Sequence, residues 1–289
     1  MNWTETKAFL SPCFPGCIRD EMELLFPGEL REIRVRAGKP TVFCTASRTA
    51  SLPWQPDQQH VAALAEALSG HSLYAREEEM AQGYITLQGG HRMGLCGSVT
   101  PSGLKYIGSV CIRIAGQWPG CAEKLLPYAR NLLIIGPPGS GKTTLLRDLA
   151  RQLGTGRDGL QVAVIDHRGE LAACVQGVPQ LDVGPCTDVL DGCPKPEAVA
   201  WLIRSMAPQI LVTDELSGPE DAAAILDAMA CGAAVLTSCH GAALSEVASR
   251  PAMAALMSRR VFEYYAVLHP EGGGHIAALY DRSGSPIAL

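Results

Sequence analysis

The chain has 289 residues, 47% of them hydrophobic, and a formal net charge of -5. That is enough apolar material for a sizeable core, and the length favours two domains over one. The acidic balance, with basic residues scattered and aromatics at 6%, speaks against a protein whose main task is gripping nucleic acid, which needs concentrated positive charge and stacking surfaces. The opening MNWTETKAFLSPCFPG has no charged leader followed by an apolar stretch, and no run approaches the roughly 18 to 20 apolar residues that cross a bilayer. A cytoplasmic chain without a transmembrane segment of its own is therefore expected. The eleven cysteines are spread without paired CxxC elements, Cys13 and Cys17 forming only an isolated CxxxC, so reduced and mostly buried thiols are expected.

In chain order, Glu32 to Arg36 alternates charged and apolar residues, Gly38-Lys39-Pro40 turns, and Thr41 to Cys44 is apolar: a strand, a turn and a strand. Asp57 to Ser69 spaces Val61, Leu64, Ala65 and Leu68 as a helix, with Asp57 as its cap and Gly70 as its stop. Tyr84 to Leu87 and Arg92 to Cys96 flank Gly89-Gly90 as strands about a tight turn, and Ser109 to Ile114 is a further strand. These elements predict a small α+β domain over residues 1–115. The Gly, Pro and Trp-rich stretch 116–127 is expected as a linker.

Over 128–289 strands and helices alternate. The strands are expected at Asn131 to Ile135, Gln161 to Ile165, Gln209 to Thr213 and Ala233 to Thr237, and the helices at Lys142 to Leu153, Glu197 to Met206, Pro219 to Cys231 and Ala242 to Ser249. Short apolar strands without alternation are those of a mostly parallel sheet covered on both faces. Val261 to Leu268 and His275 to Tyr280, joined by Glu271-Gly272-Gly273-Gly274, are expected as a closing antiparallel hairpin.

Gly136-Pro137-Pro138-Gly139-Ser140-Gly141-Lys142-Thr143-Thr144 satisfies GxxxxGK[ST], with the apolar strand before it and the helical pattern after it that a phosphate loop requires. Its glycines let backbone N–H groups wrap a phosphate at the positive end of a helix. Lys142 adds charge at the β and γ phosphates, and the Thr143 hydroxyl is a magnesium ligand. The strand Gln209 to Thr213 ends in Asp214-Glu215, which assigns Asp214 to the metal and Glu215 to general-base work on the attacking water. Val164-Ile165-Asp166-His167-Arg168-Gly169-Glu170-Leu171 also ends a strand, so Asp166 and Glu170 are expected at the carboxyl edge, where ligands of open α/β sheets collect. His240 follows the next strand and is expected to contact the γ-phosphate or the water.

These four boxes in this order resemble the secretion-ATPase branch of RecA-like NTPases, which includes type II secretion and type IV pilus motors. Asp182-Val183-Gly184, TDVLDGCPK from Thr187, LIRSMAP from Leu202, and EIRVRAGKP, GYITLQGGHRMGLCG and SVCIRIA in the first domain resemble the stage III sporulation protein AA family along nearly the whole chain. The resemblance implies a RecA-like P-loop NTPase core preceded by the small α+β domain. It also implies a mother-cell ATPase that uses ATP and Mg2+, works as a homo-hexamer, and energises the membrane-embedded sporulation channel proteins while peripheral to them. Two departures stand out: the family's DERSE is Asp166-His167-Arg168-Gly169-Glu170 here, and its Ile-Gly-Arg after Asp214-Glu215 is Leu216-Ser217-Gly218.

The leading expectation is an Mg-dependent ATPase in which Glu215 is the base and Glu170 orients water or magnesium. An ATP-gated docking module with slow hydrolysis and a nucleic-acid-translocating motor of the same core are the alternatives. Were the nucleotide at a subunit boundary, a neighbouring arginine should neutralise the γ-phosphate. Arg113, Arg92 and Arg204 are candidates for that role, with Arg34 and Arg36 behind them.

Overall fold

The computed structural model describes residues 2–45, 47–81, 83–101, 103–155 and 159–288. The chain divides into two compact units, Met1–Gly116 with Cys174–Gln180, and Gln117–Ala173 with Leu181–Leu289.

In the first unit, α1 (Trp3–Leu10) and α2 (Gly16–Glu23) precede β1 (Leu30–Arg36), β2 (Thr41–Thr45) and β3 (Thr49–Leu52); α3 (Gln58–Leu68), α4 (Glu77–Ala81), β4 (Tyr84–Thr86), β5 (Arg92–Thr100) and β6 (Gly103–Arg113) follow. The described strands form an antiparallel sheet in the order β3-β2-β1-β6-β5-β4. Alternation decides its faces. Ile33, Val35, Met93 and Ile112 enter the core with Val61, Leu64 and Leu68 of α3, whose first turn is capped by Asp57 accepting from the His60 N–H at 2.8 Å. No helix is expected from the sequence at α1 or α2, although a capping box between Asn2 and Glu5 starts α1. The residue pattern also predicts an end of β5 at Cys96 and a start of β6 at Ser109, whereas the two form one long hairpin. Glycines interrupt the apolar pattern there for a steric reason: at the register shift, a Cβ on Gly97 would lie 1.6 Å from the Tyr106 carbonyl oxygen.

The second unit contains β7 (Leu132–Ile135), α5 (Lys142–Leu153), β8 (Val162–Asp166), β9 (Thr187–Asp191), α6 (Lys195–Ser205), β10 (Ile210–Glu215), α7 (Pro219–Ala230), β11 (Ala234–Cys239), α8 (Leu244–Ala248), α9 (Pro251–Ser258), β12 (Tyr264–Leu268), β13 (Ile276–Asp281) and β14 (Pro286–Ile287). Its sheet order is β14-β13-β12-β7-β11-β10-β8-β9. The pairings from β12 to β9 are parallel, and β13 and β14 add antiparallel strands at one edge. Successive residues of β7 enter opposite cores: Leu133 and Ile135 pack with α6, α7 and α9, while Leu132 and Ile134 pack with α5. That two-sided burial is why these strands are uniformly apolar.

Residues 117–127, expected as part of a linker, are instead packed within the second unit. Ala122 and Leu125 are fully buried, and Asp148 of α5 accepts from the N–H groups of Gly120 and Ala122 at 3.1 and 2.8 Å. Glycine and proline there signal irregular backbone, which is a different property from exposure. The edge strand β9 was also not expected from the sequence, its residues being only partly buried.

Candidate nucleotide site

The parallel order places the carboxyl ends of β7, β11, β10 and β8 side by side, and each ends in one of the chemical boxes. After β7 the chain turns through Gly139 (φ 77°) and Gly141 (φ 102°) into α5. Both angles are left-handed and suit glycine. Gly136 is required by space, since a Cβ there would lie 2.4 Å from Ser140 Oγ. Pro138, Gly139, Gly141, Lys142, Thr143 and Thr144 line a cavity of about 370 Å³. Arg168, Glu170, Asp214, Glu215, Ser238 and His240 complete it. Gly136, Pro137 and Ser140 lie behind this surface: the first two present carbonyls to Lys142 Nζ at 2.8 and 2.9 Å, and Ser140 is buried.

Because β11 lies between β7 and β10, His240 falls between the phosphate loop and the Asp214-Glu215 pair. Lys142 Nζ is 3.2 Å from His240 Nδ1, and His240 Nε2 is 3.1 Å from Glu215 Oε2. An ammonium can only donate, so Nδ1 accepts and Nε2 carries the proton toward Glu215. Arg168 Nη1 reaches the same carboxylate oxygen at 3.3 Å. Burial lowers the pKa of Lys142, with the charge of Glu215 opposing that shift. Arg250 donates to the His240 carbonyl and to Glu246, both at 2.6 Å, and so holds the histidine's backbone. Sequence reasoning missed Arg250, which has no motif spacing to mark it.

Asp166 does not face the nucleotide cavity, contrary to expectation. It is fully buried, and its Oδ1 accepts from the N–H groups of Glu170 and Leu171 at 2.7 and 2.9 Å. Its Oδ2 accepts from Ala172 and Ala173 at 2.8 and 3.1 Å. Four donors converging on one carboxylate make it the anchor of the loop that carries Glu170. Arg147 grips the same loop from α5, donating to the carbonyls of Leu171 and Glu170 at 2.5 and 2.6 Å. His167 lies outside the cavity, its Nδ1 being 3.2 Å from the Cys193 carbonyl.

Asp214 is buried against Lys195, a partner the sequence reading did not single out. Lys195 Nζ lies 3.2 Å from Asp214 Oδ1 and 3.6 Å from Asp221 Oδ2, and it donates to the Glu215 carbonyl. Burial raises the pKa of Asp214, against the pull of Lys195. Among the described residues no group of three or more His, Cys, Asp or Glu side chains is assembled to hold a metal. Thr143 and Asp214 nevertheless line the same cavity and offer the hard oxygen donors that magnesium takes, leaving its other positions to phosphate and water. The residues present fit that ion.

Of the candidate arginines, Arg34, Arg36, Arg92 and Arg113 lie on the first unit's sheet, on the face opposite its core, by the pairings Arg34↔Cys111, Arg36↔Ser109 and Arg92↔Arg113. Arg34 and Arg113 pair with Glu32 at 2.6 and 3.4 Å, and Arg92 lies over the Tyr84 ring at 4.6 Å. Arg204 is on α6 of the second unit, its Nε on the Ala200 carbonyl. No described helix is long and apolar enough to cross a membrane.

Known proteins resemble this architecture. The ATPase DotB of Yersinia pseudotuberculosis matches with a TM-score of 0.61 at 13% identity, over 88% of this chain and 76% of that one. The pilus retraction motor PilT with bound ADP matches with a TM-score of 0.60 at 15% identity, over 86% and 76%. Such likeness shows a shared mixed α/β fold. At the level of sequence, stage III sporulation protein AA of Bacillus subtilis (strain 168) is 39% identical over 274 residues, covering 90% of this chain and 89% of its own. The profile of the family "Sporulation stage III, protein AA" matches residues 17–287, nearly the whole chain, including every one of the boxes described above. With that extent of agreement, the chain belongs to the sporulation stage III protein AA family.

Proposed function

We propose that the chain is an Mg-dependent ATPase of the secretion-motor type. The carrying observation is the line Lys142–His240–Glu215, hydrogen-bonded across a cavity that the phosphate loop lines. On this reading Lys142 exchanges the Gly136 and Pro137 carbonyls for β and γ phosphate oxygens. Glu215 takes the proton of the attacking water, His240 holds Glu215 and reports the γ-phosphate, and Glu170 orients the water. Thr143 and Asp214 would hold Mg2+, which supplies charge neutralisation at the phosphates.

The work is assigned to the sporulation channel complex between mother cell and forespore. A homo-hexamer in the mother-cell cytoplasm acts there on membrane-embedded partners and not on nucleic acid. Chain continuity supports coupling, because the loop anchored by Asp166 runs directly into Cys174–Gln180, which group with the first unit. Lys142→Ala is expected to abolish ATP turnover with the fold retained, and undiminished hydrolysis would overturn the proposal. In single-turnover hydrolysis Glu215→Gln is expected to stop chemistry; if only Glu170→Gln does so, the roles of the two glutamates exchange.

A further inference from the structure

The run Gly272-Gly273-Gly274 joins β12 to β13, and the mechanism above makes no use of it. In the second unit it lies along the phosphate loop. The Gly274 N–H donates to the Ser140 carbonyl at 2.9 Å, a Cβ on Gly141 would lie 2.6 Å from Gly274 N, and one on Gly272 would lie 3.2 Å from the Gly139 carbonyl oxygen. All three glycines have left-handed φ, at 84°, 76° and 71°. A hairpin needs one or two such residues to reverse the chain. Three in succession keep a bare backbone pressed against the loop.

A second segment is fixed to the same helix from elsewhere in the chain. Asp148, in the second turn of α5, holds the N–H groups of Gly120 and Ala122, and the Cys121 thiol reaches the Thr144 carbonyl at 3.9 Å. Between this segment and the glycine run is a cavity of about 760 Å³ that shares no lining residue with the one holding the carboxylates. Its size lies in the range of small-molecule sites. His269 and His275 line it, paired across the hairpin through the His269 N–H and the His275 carbonyl at 2.9 Å. The His275 ring rests against Gly273, where a Cβ would meet Nε2 at 3.0 Å. Glu271 and Lys124 add an acceptor and a donor.

A nucleoside triphosphate on this loop has two ends. Asp214, Glu215, Glu170 and His240 mark where the γ-phosphate reacts, so the other end needs a cavity that stays in register with the loop. Both walls of the larger cavity are hydrogen-bonded to the phosphate loop or its helix. We propose that this cavity binds the purine nucleoside end of the nucleotide, with the base stacked on the imidazoles of His275 and His269. The inference rests on the phosphate-loop reading above.

The test is isothermal titration of the full chain, with Mg2+, by ATP and by inorganic tripolyphosphate. The unsubstituted protein is expected to bind ATP the more tightly. H269A/H275A should weaken ATP by about five- to hundredfold, the range for a base stacked on an aromatic side chain, and leave tripolyphosphate unchanged. An unchanged ratio of the two affinities would overturn the nucleoside site, whereas failure of either ligand to bind the unsubstituted protein would overturn the phosphate loop itself. Should the double variant not fold, diethyl pyrocarbonate modification of the unsubstituted protein decides. ATP should shield His269 and His275 and tripolyphosphate should not; equal reactivity under both overturns the inference.

Discussion

Replacing Asp166 by Asn separates an anchoring carboxylate from a ligand-binding one. The carboxylate accepts four backbone N–H groups, from Glu170, Leu171, Ala172 and Ala173, at 2.7 to 3.1 Å in a fully buried position. An amide has a single oxygen, so it keeps at most two of these donors and turns its own NH2 toward the rest. Two buried N–H groups left without an acceptor cost about 1–3 kcal/mol each, or about 2–6 kcal/mol together. Urea denaturation should show a loss of that size, and hydrogen exchange should speed most at the amides of 170–173. Turnover should fall, because the same loop carries Glu170, while the dissociation constant for ATP stays within a factor of about two, Asp166 not lining the cavity. Unchanged stability combined with lost ATP affinity would refute the reasoning and return Asp166 to the ligands.

Two further consequences concern buried ionisable groups. His91 is buried in the first unit, its Nδ1 accepting from the Ala115 N–H at 3.0 Å and its Nε2 having no partner among the described residues. Burial lowers its pKa from 6.5 to about 4. Below pH 6.5 the unfolded chain takes up a proton that the folded chain refuses. Stability is therefore full above that value and should fall by about 3 kcal/mol as the pH drops to about 4. His91→Gln should remove this part of the slope in pH-dependent urea melts, and an identical slope would count against the assignment. Lys195→Met leaves the buried Asp214 and the half-buried Asp221 without their cation and should destabilise the protein by about 3 kcal/mol. The double variant K195M/D214N should recover part of that loss, and strictly additive effects would show that the pair is uncoupled.

The sequence by itself determined the elements whose chemistry is local. The phosphate loop is one strand, one turn and one helix in unbroken succession, and α5 spans Lys142–Leu153 as its periodicity and glycine spacing require. Asp214-Glu215 and His240 could be placed at strand ends because apolar runs of a buried parallel sheet stop where the chain emerges from it. The first unit was less legible: Gly97 and Gly108 break the pattern of β5 and β6, and the mixed burial of β9 hides it.

Tertiary structure alone decided which side chains meet. Lys142 and His240 are 98 positions apart and touch because β11 pairs with β7, and Lys195 reaches Asp214 from the start of a different helix. It also decided that Asp166 turns inward while Glu170, four residues on, lines the cavity. Motif spacing constrains a few consecutive backbone angles, whereas a carboxylate's role depends on which donors the folded chain turns toward it. For Asp166 those donors are backbone N–H groups, which no residue pattern records.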